Sequence, residues 1–159
     1  MGIADFLTPD GVIAGLRPVD KAQLLHELAR HAGPAAGVET QVVLDALLAR
    51  ENLGSTGVGH GIAVPHARID GIGRLFGLFA RLEKPIDFAA IDEQPVDLVF
   101  LLLIPSSAGS EHLAALAAVS RRLRDKDVLR QLRARRDSRG LFDILTGPAP
   151  ATAKTVPKS

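Results

Sequence analysis

Apolar residues recur along this chain of 159 residues at two spacings, and the two spacings alternate. The helical spacing of three to four residues occurs in five segments: 21–32, 39–53, 111–124, 125–136 and 138–145. Strand-like runs occur in four segments, of which the first is the weakest: 11–16, 61–64, 75–83 and 96–104. Because helices and strands interleave, the pattern predicts an α/β fold with a single mixed β-sheet.

The run VDLVFLLLI, residues 96–104, is apolar almost throughout. A strand of this kind is buried on both faces, so we expect it at the centre of the sheet with helices on both sides. Capping residues set the helix boundaries: Asp20 begins the first helix, Gly33-Pro34 ends it, and Gly54 follows the second. The spacing predicts these buried faces: Val42, Val43, Ala46, Leu47 and Leu53 on the second helix, and Leu113, Leu116, Ala117 and Leu123 on the third.

Length and composition predict one compact domain at residues 1–146, since 47% of the residues are hydrophobic. Residues 147–159, GPAPATAKTVPKS, contain little to bury and are predicted to form a disordered tail. The chain has no cysteine, which excludes disulfides, thiolate metal sites and cysteine nucleophiles. No signal peptide is recognisable, and the longest apolar run is far shorter than the roughly 20 residues that cross a bilayer, so we expect a cytoplasmic protein.

Charge is distributed unevenly along the chain, although the formal net charge is only +1. Residues 121–139 carry nine basic and three acidic side chains. Such a segment could bind nucleic acid or an acidic partner, but mixed charge is also usual on the solvated face of amphipathic helices. We favour the solvated face and expect no nucleic-acid partner, since the chain has no Trp or Tyr to stack on bases and no recognition-helix motif.

The stretch GSTGVGHGIAVPHAR, residues 54–68, places four glycines and two histidines between a predicted helix and a predicted strand. Gly54 and Gly59 have the spacing of P-loop glycines, but His60 and Gly61 stand where ATP binding requires a lysine and a hydroxyl residue. The dinucleotide fingerprint also fails, because its final spacing is absent and the stretch follows a helix. The glycines either turn backbone amides toward an anion or serve as a plain crossing from helix to strand, and both interpretations stay open.

Polar side chains lie in or beside this stretch. His66 follows a proline at a predicted strand end and should stand at the mouth of the sheet, while Arg50 ends the second helix and Ser55 lies in the loop. His112 opens a later helix, where unpaired backbone amides attract anions. Each of these residues alone has an ordinary structural explanation, but together they favour a site for an anionic group. Metal binding is not predicted, because His60 and His66 are six residues apart on irregular backbone.

Three stretches together resemble the enzyme IIA components of the fructose and mannitol class in the bacterial phosphoenolpyruvate phosphotransferase system. They are ARENLGSTGVGHGIAVPHAR, LEKPIDFAAIDEQPVDLVFLLLIP and EHLAALAAVSRRLRD, and the similarity extends from about Ile3 to Leu145. The most specific part is GIAVPHA. The resemblance is nearest to the nitrogen-regulatory branch, whose members stand alone and pair with a dedicated small phosphocarrier. It implies a mixed sheet with helices on both faces, in agreement with the pattern of apolar residues.

The resemblance implies a phosphocarrier, a phosphotransferase component that acts mainly in regulation. His66 would accept a phosphoryl group on Nε2 from a phosphohistidine of an HPr-like or NPr-type carrier protein. Arg50 and His112 would stabilise the phosphoryl group with Ser55 as a further helper, and no cofactor or metal is implied. If the Nδ1–H of His66 donates to a backbone carbonyl, the Nε2 lone pair is left outward, and neutral imidazole is available near neutral pH without a strong base.

The chain departs from the family pattern at two places: His60 stands where asparagine is frequent, and Ala67-Arg68 replaces Gly-Lys. The resemblance also leaves open a sugar-specific enzyme IIA that passes phosphate to a separate IIB of a fructose or mannitol transporter. The expected partners are therefore regulatory target proteins in the first interpretation and a IIB in the second. A weak homo-oligomer stays open, and no membrane insertion is expected.

Overall fold

A six-stranded mixed sheet lies between two layers of helices in the computed structural model, which describes residues 1–147. The strands are β1 (Val12–Leu16), β2 (Gly57–Gly59), β3 (Ile62–Ala63), β4 (His66–Ile69), β5 (Phe76–Ile86) and β6 (Val96–Pro105). The helices are α1 (Lys21–Ala36), α2 (Thr40–Asn52), α3 (Glu111–Arg124), α4 (Lys126–Ala134) and α5 (Ser138–Thr146). The tail predicted at residues 147–159 lies outside the described residues except for Gly147.

Strand β6 occupies the centre of the sheet. It pairs with β5 in antiparallel orientation on one side, and on the other side it pairs in parallel with β3 and then with β4. Strand β1 extends the sheet beyond β5 in parallel, and β2 extends it beyond β3 in antiparallel orientation. The predicted mixed sheet and its central apolar strand are confirmed.

Side chains of β6 alternate between two separate hydrophobic cores. Val99, Leu101 and Leu103 pack in the core that α1 and α2 cover, whereas Leu98, Phe100 and Leu102 pack in the core that α3, α4 and α5 cover. All six side chains are completely buried, which confirms the prediction of helices on both faces. None of the helices in residues 1–147 is both long and apolar enough to cross a membrane.

Strand β4 pairs with β6 in one continuous parallel register. His66 lies opposite Leu102, and Arg68 lies opposite Ile104. Ala67 and Ile69 pack in the core beneath α1 and α2. Because successive residues of a strand point to opposite faces, the side chains of His66 and Arg68 both lie on the face that carries α3.

Helix α1 continues through Gly33 and Pro34 to Ala36, so the predicted stop was wrong. A proline in the last turn removes only one helical hydrogen bond, the bond to the carbonyl of Arg30, and the helix tolerates this loss. Gly37 ends the helix instead: its φ is 81°, and its N–H donates to the carbonyls of Gly33 and Pro34. The true end therefore depends on a left-handed glycine that follows the proline.

The predicted buried faces of α2 and α3 are correct only in part. Val43, Leu47 and Leu123 are buried as expected, but Leu53 is 85% exposed because α2 ends one residue before it. Leu113 is 59% exposed, because the buried stripe of α3 runs along smaller residues. Val42 and Ala117 are also exposed, and the buried residues that the spacing missed are Leu44, Ala115, Ala118 and Val119.

Candidate functional site

The glycine-rich stretch, residues 54–68, folds into three short strands instead of the one predicted. β2 and β3 form a hairpin around His60-Gly61, and β4 begins at His66. Pro65 joins β3 to β4: it has no N–H, but its carbonyl accepts a hydrogen bond from the N–H of Leu102 at 3.0 Å. The expectation that His66 stands at the mouth of the sheet, and not within it, is therefore wrong, since it is the first residue of β4 and pairs with Leu102 of β6.

The imidazole of His66 is partly buried and is fixed through one of its two nitrogens. Nδ1 lies 2.9 Å from the carbonyl oxygen of Val64. A carbonyl can only accept a hydrogen bond, so this contact requires the proton on Nδ1. Nε2 then carries a lone pair, and it makes no hydrogen bond to any residue among 1–147. In the neutral ring, Nδ1 is therefore occupied by the hydrogen bond to Val64, and Nε2 is the nucleophilic nitrogen.

The backbone of Val64 is itself held, at its N–H, by the loop that precedes β2. The N–H of Val64 donates to the carbonyl of Thr56 at 3.0 Å. Thr56 is held by Glu51, because its N–H donates to Glu51 Oε1 at 3.1 Å and its hydroxyl donates to Oε2. The ammonium group of Lys21 lies 2.9 Å from Oε1 of the same carboxylate. A continuous set of contacts therefore links α1 and the end of α2 to the ring of His66.

Arg50 and Ser55 both lie in this region, but their hydrogen bonds go to the loop. Arg50 is in the last turn of α2 and donates from Nη1 to the carbonyl of Gly54 at 2.9 Å. The hydroxyl of Ser55 donates to the carbonyl of Phe88 at 2.9 Å and accepts the N–H of Gly57 at 3.0 Å. Neither side chain is hydrogen-bonded to His66 in the part of the chain that the structure describes.

His112 lies on the same side of β4 as His66. Its Nδ1 is 3.4 Å from Nη2 of Arg68, whose side chain shares a face with His66, and 3.0 Å from the carbonyl of Gly109. The contact with the Gly109 carbonyl needs a proton on Nδ1, whereas the contact with the Arg68 guanidinium needs a lone pair on the same nitrogen. The ring therefore makes only one of these two hydrogen bonds at a time. Arg68 also donates to the carbonyl of Ala108 at 3.2 Å, which ties β4 to the loop before α3.

Sequence reasoning gave no role to two residues of this site. Glu51 is charged but its side chain is only 5% exposed, and its partner Thr56 lies five residues further along the chain. No sequence pattern signals such a buried bridge. Arg68 stands two residues after His66 in a strand, and that spacing would have placed it on the same face if β4 had been recognised.

The other histidine of the stretch, His60, is held through its backbone. Its φ is 58°, its N–H donates to Asp92 Oδ2 at 3.0 Å, and its carbonyl accepts from Arg133 Nη2 at 2.7 Å. The backbone N–H groups of His60 and Gln94 hold the pKa of the Asp92 carboxyl below its usual value. Arg133 also forms an ion pair with Asp97 at 2.9 Å, so this turn is fastened to β6 and α4.

Ion pairs form within the basic segment at residues 121–139, on α4 and in the turn that follows it. Arg130 pairs with Asp127 on α4, and Arg135 pairs with Asp137 at 2.7 Å between α4 and α5. Such exposed pairs contribute little to stability but reduce the net field of the segment. The preference for a solvated helix face over a nucleic-acid surface is consistent with these contacts.

Similarity to known proteins covers nearly all of the described chain. Residues 5–147 match the family model described as "Phosphoenolpyruvate-dependent sugar phosphotransferase system, EIIA 2". A nitrogen regulatory protein of Bradyrhizobium diazoefficiens is 48% identical over 153 residues, which cover 96% of this chain and 99% of that protein. A PTS system fructose-specific EIIA component of Haloferax volcanii is 39% identical over 123 residues, covering 77% of this chain and 79% of that protein. The nitrogen regulatory protein IIA-Ntr of Neisseria meningitidis has a crystal structure similar to this fold, with a TM-score of 0.86, 32% identity, and coverage of 91% of this chain and 99% of that chain.

Proposed function

The chain belongs to the EIIA 2 family of the phosphoenolpyruvate-dependent sugar phosphotransferase system, and we propose that within it His66 carries a phosphoryl group on Nε2. The donor is a phosphohistidine on a small HPr-like carrier protein of the NPr type. Family membership makes the chain a phosphotransfer component, and it confirms the resemblance inferred from the sequence. The atom and the donor are our proposal.

One observation carries this proposal: the 2.9 Å contact from His66 Nδ1 to the Val64 carbonyl. It selects the neutral tautomer in which Nε2 has a lone pair. The ring is only partly buried, so a protein-bound phosphoryl group can approach that nitrogen. His112 differs in this respect, because its Nδ1 has two competing contacts, with the Gly109 carbonyl and the Arg68 guanidinium, that call for different tautomers.

The transfer step balances without a separate base. The Nε2 lone pair of His66 forms the new N–P bond as the N–P bond of the donor phosphohistidine breaks, and the electron pair of that bond stays on the donor nitrogen. His66 keeps its Nδ1 proton, and the donor ring, which enters the step protonated on its other nitrogen, leaves as neutral imidazole. The step therefore depends on alignment and on stabilising the phosphoryl oxygens.

Two side chains, those of Arg50 and His112, suit that stabilisation. Arg50 lies at the end of α2 beside the loop, and swinging from the Gly54 carbonyl would free its guanidinium for phosphoryl oxygens. His112 with Nδ1 accepting from Arg68 carries a proton on Nε2 and can donate it in a hydrogen bond. The hydroxyl of Ser55 is already used by Phe88 and Gly57, so we assign Ser55 to shaping the loop.

Regulation through the phosphorylation state is the role that we favour. The relative from Bradyrhizobium diazoefficiens is named a nitrogen regulatory protein, and the solved structure from Neisseria meningitidis bears the same name. A sugar-specific enzyme IIA remains the second candidate, because the relative from Haloferax volcanii is named a fructose-specific EIIA component. The two roles share the His66 step and differ only in where the phosphoryl group goes next.

Mass spectrometry of the protein after reaction with phosphoenolpyruvate, enzyme I and the small carrier tests the acceptor. We expect one acid-labile phosphoryl group on His66, and none in His66→Ala. His26→Ala is the control, since His26 is an exposed histidine on the outer face of α1. A phosphoryl group located on another residue, or full labelling of His66→Ala with an intact circular dichroism spectrum, would falsify the assignment.

Onward transfer separates the two roles. The labelled protein is mixed with a IIB of a fructose transporter, and the label on each chain is followed over time. Under the regulatory role we expect the label to stay on His66. Rapid transfer to the IIB, at a rate close to that of loading from the carrier, would instead identify a sugar-specific enzyme IIA.

A further inference from the structure

We propose that Glu51 is a positioning residue for His66: its buried carboxylate fixes Thr56 and thereby the Val64 carbonyl that selects the ring tautomer. This inference rests on the proposed function of His66. Glu51 does not touch the reacting atoms and acts only through the residues between them. This role accounts for a buried charge at the end of α2, just before the loop that leads to β2.

Both oxygens of the Glu51 carboxylate have partners, and the side chain is largely buried. Its side chain is 5% exposed, and a buried carboxylate is unfavourable unless it is paired and hydrogen-bonded. Oε1 accepts the N–H of Thr56 at 3.1 Å and lies 2.9 Å from the ammonium group of Lys21, while Oε2 accepts the hydroxyl of Thr56. Both oxygens therefore hold the same loop residue.

Thr56 passes this constraint to the next strand. It is 4% exposed, so water cannot readily replace the partners of its backbone or its hydroxyl. With its N–H and side chain held by Glu51, its carbonyl is left in place to accept the N–H of Val64 at 3.0 Å. The backbone of Val64 is thus held at its N–H by contacts that begin at a carboxylate near the end of α2.

Val64 then selects the tautomer of the ring. Its carbonyl is 2.9 Å from His66 Nδ1, and a shift of this oxygen weakens the contact that keeps the proton on Nδ1. In the alternative tautomer Nε2 carries the proton and has no lone pair for a phosphorus atom. Loss of the Glu51 contacts should therefore lower the fraction of nucleophilic rings as well as their alignment.

A second anchor allows this role to be tested without unfolding the loop. Ser55 is hydrogen-bonded to the Phe88 carbonyl and to the N–H of Gly57, independently of Glu51. In Glu51→Gln the amide keeps one accepting oxygen and nearly the same shape, but it loses the charge that pairs with Lys21. We therefore expect this variant to fold while holding Thr56 less firmly.

The decisive experiment measures the ring and the transfer in the same full-length protein. Nitrogen-15 NMR of labelled histidine, at a pH where the His66 ring is neutral, gives the ratio of the two tautomers. In the wild-type protein we expect mainly the Nδ1–H form, and in Glu51→Gln a mixture together with a transfer rate from the carrier about tenfold lower. The control is Asp97→Asn, which makes the same carboxylate-to-amide change in the ion pair with Arg133, and it should alter neither readout.

A pair of variants at Thr56 guards against a Glu51→Gln protein that fails to fold. Thr56→Val removes the hydroxyl and should shift the tautomer ratio in the same direction, whereas Thr56→Ser keeps the hydroxyl and should restore it. An unchanged tautomer ratio in both Glu51→Gln and Thr56→Val overturns the proposal, even if transfer is slow. If wild-type His66 is never phosphorylated, the proposed function fails, but the tautomer ratio still decides the role of Glu51.

Discussion

Two histidines lie six residues apart in the glycine-rich stretch, and the structure holds them in opposite ways. His66 is held by its ring, since Nδ1 contacts the Val64 carbonyl at 2.9 Å. His60 is held by its backbone, whose N–H donates to Asp92 and whose carbonyl accepts from Arg133. The ring of His60 makes no hydrogen bond within residues 1–147. Fixing a ring defines a reactive nitrogen, whereas fixing a backbone leaves the side chain replaceable.

The backbone of His60 also accounts for a departure from the family pattern. A φ of 58° is in the left-handed region, which asparagine adopts more readily than most residues with a side chain. The resemblance leads us to expect asparagine at this position. Histidine adopts the same left-handed conformation here, and its ring makes no hydrogen bond within residues 1–147.

Apart from substitutions of His66 itself, Arg50→Ala is expected to have the largest effect on the rate of phosphoryl transfer. Arg50→Ala should lower the rate of phosphoryl transfer about a hundredfold, because it removes the guanidinium that we propose to pair with the phosphoryl oxygens. Arg50→Lys should recover part of the rate if charge is the main contribution. Rapid-quench measurement with labelled carrier gives both rates, with Arg30→Ala, an exposed arginine of α1, as the control. A rate within twofold of wild type would remove Arg50 from the site.

A smaller effect is expected at His112. His112→Ala should slow transfer about tenfold, the cost of one hydrogen bond to a charged group. His60→Ala makes the same histidine-to-alanine change in the turn that is held by its backbone, and it should leave the transfer rate unchanged. The same rapid-quench assay measures both variants. Equal losses of transfer rate in His112→Ala and His60→Ala would contradict the view that the His112 ring takes part in the site whereas the His60 ring does not.

A pH-dependent effect on stability is expected at Asp92, which anchors His60. The pKa of Asp92 is lowered because the N–H groups of His60 and Gln94 donate to its carboxylate, so the ionised form stabilises the folded state. This contribution is present above the ordinary value of 3.8 and is lost as the pH falls through the lowered folded value. Asp92→Asn should therefore unfold at lower urea concentration than wild type at neutral pH.

The difference between Asp92→Asn and wild type should shrink as the pH falls below 3.8. Urea unfolding at neutral pH and at pH 3 measures it, with Asp10→Asn, an exposed aspartate before β1, as the control. Transfer from the carrier should stay at the wild-type rate at neutral pH. A stability difference that grows on acidification would contradict the sign of this effect.

The smallest effect is expected at His60 itself. His60→Asn should change the free energy of unfolding by less than about 0.5 kcal/mol, since asparagine suits the left-handed turn and the ring makes no hydrogen bond within residues 1–147. Phosphoryl transfer should proceed as in wild type. Chemical denaturation and the transfer assay together test this expectation. A marked loss of transfer would show that the His60 ring contacts the carrier and that the turn is part of the site.

Apolar spacing was sufficient to predict the layers of the fold. The continuous apolar run at residues 96–104 identified the central strand, and the alternation of helices and strands predicted the mixed sheet. The errors occur where a residue's structure depends on contacts distant along the chain, or where a single residue decides the end of a helix. Gly33-Pro34 predicts a helix stop, but α1 runs on to Ala36. It ends at Gly37, whose left-handed conformation does not follow from the spacing of apolar residues.

The site was predictable in its residue types but not in its connections. The position of His66 after a proline, together with the family resemblance, singled out the histidine whose ring is held. Strand β4 was missed because four residues beginning with a histidine carry almost no strand signal, and its pairing with β6 depends on residues more than thirty positions away. The buried bridge from Glu51 to Thr56 was missed because a charged residue at a helix end is ordinarily solvated.

The unbroken parallel register of β4 and β6 restricts how this chain can diverge. Inserting or deleting one residue between Val64 and His66 would rotate the histidine toward α1 and α2 and expose Ala67 in its place. Substitutions around the histidine change the strength of individual contacts, but a change in length exchanges the two faces of the strand at once. Functional descendants should therefore tolerate replacement of Pro65 more readily than any gain or loss of a residue beside it.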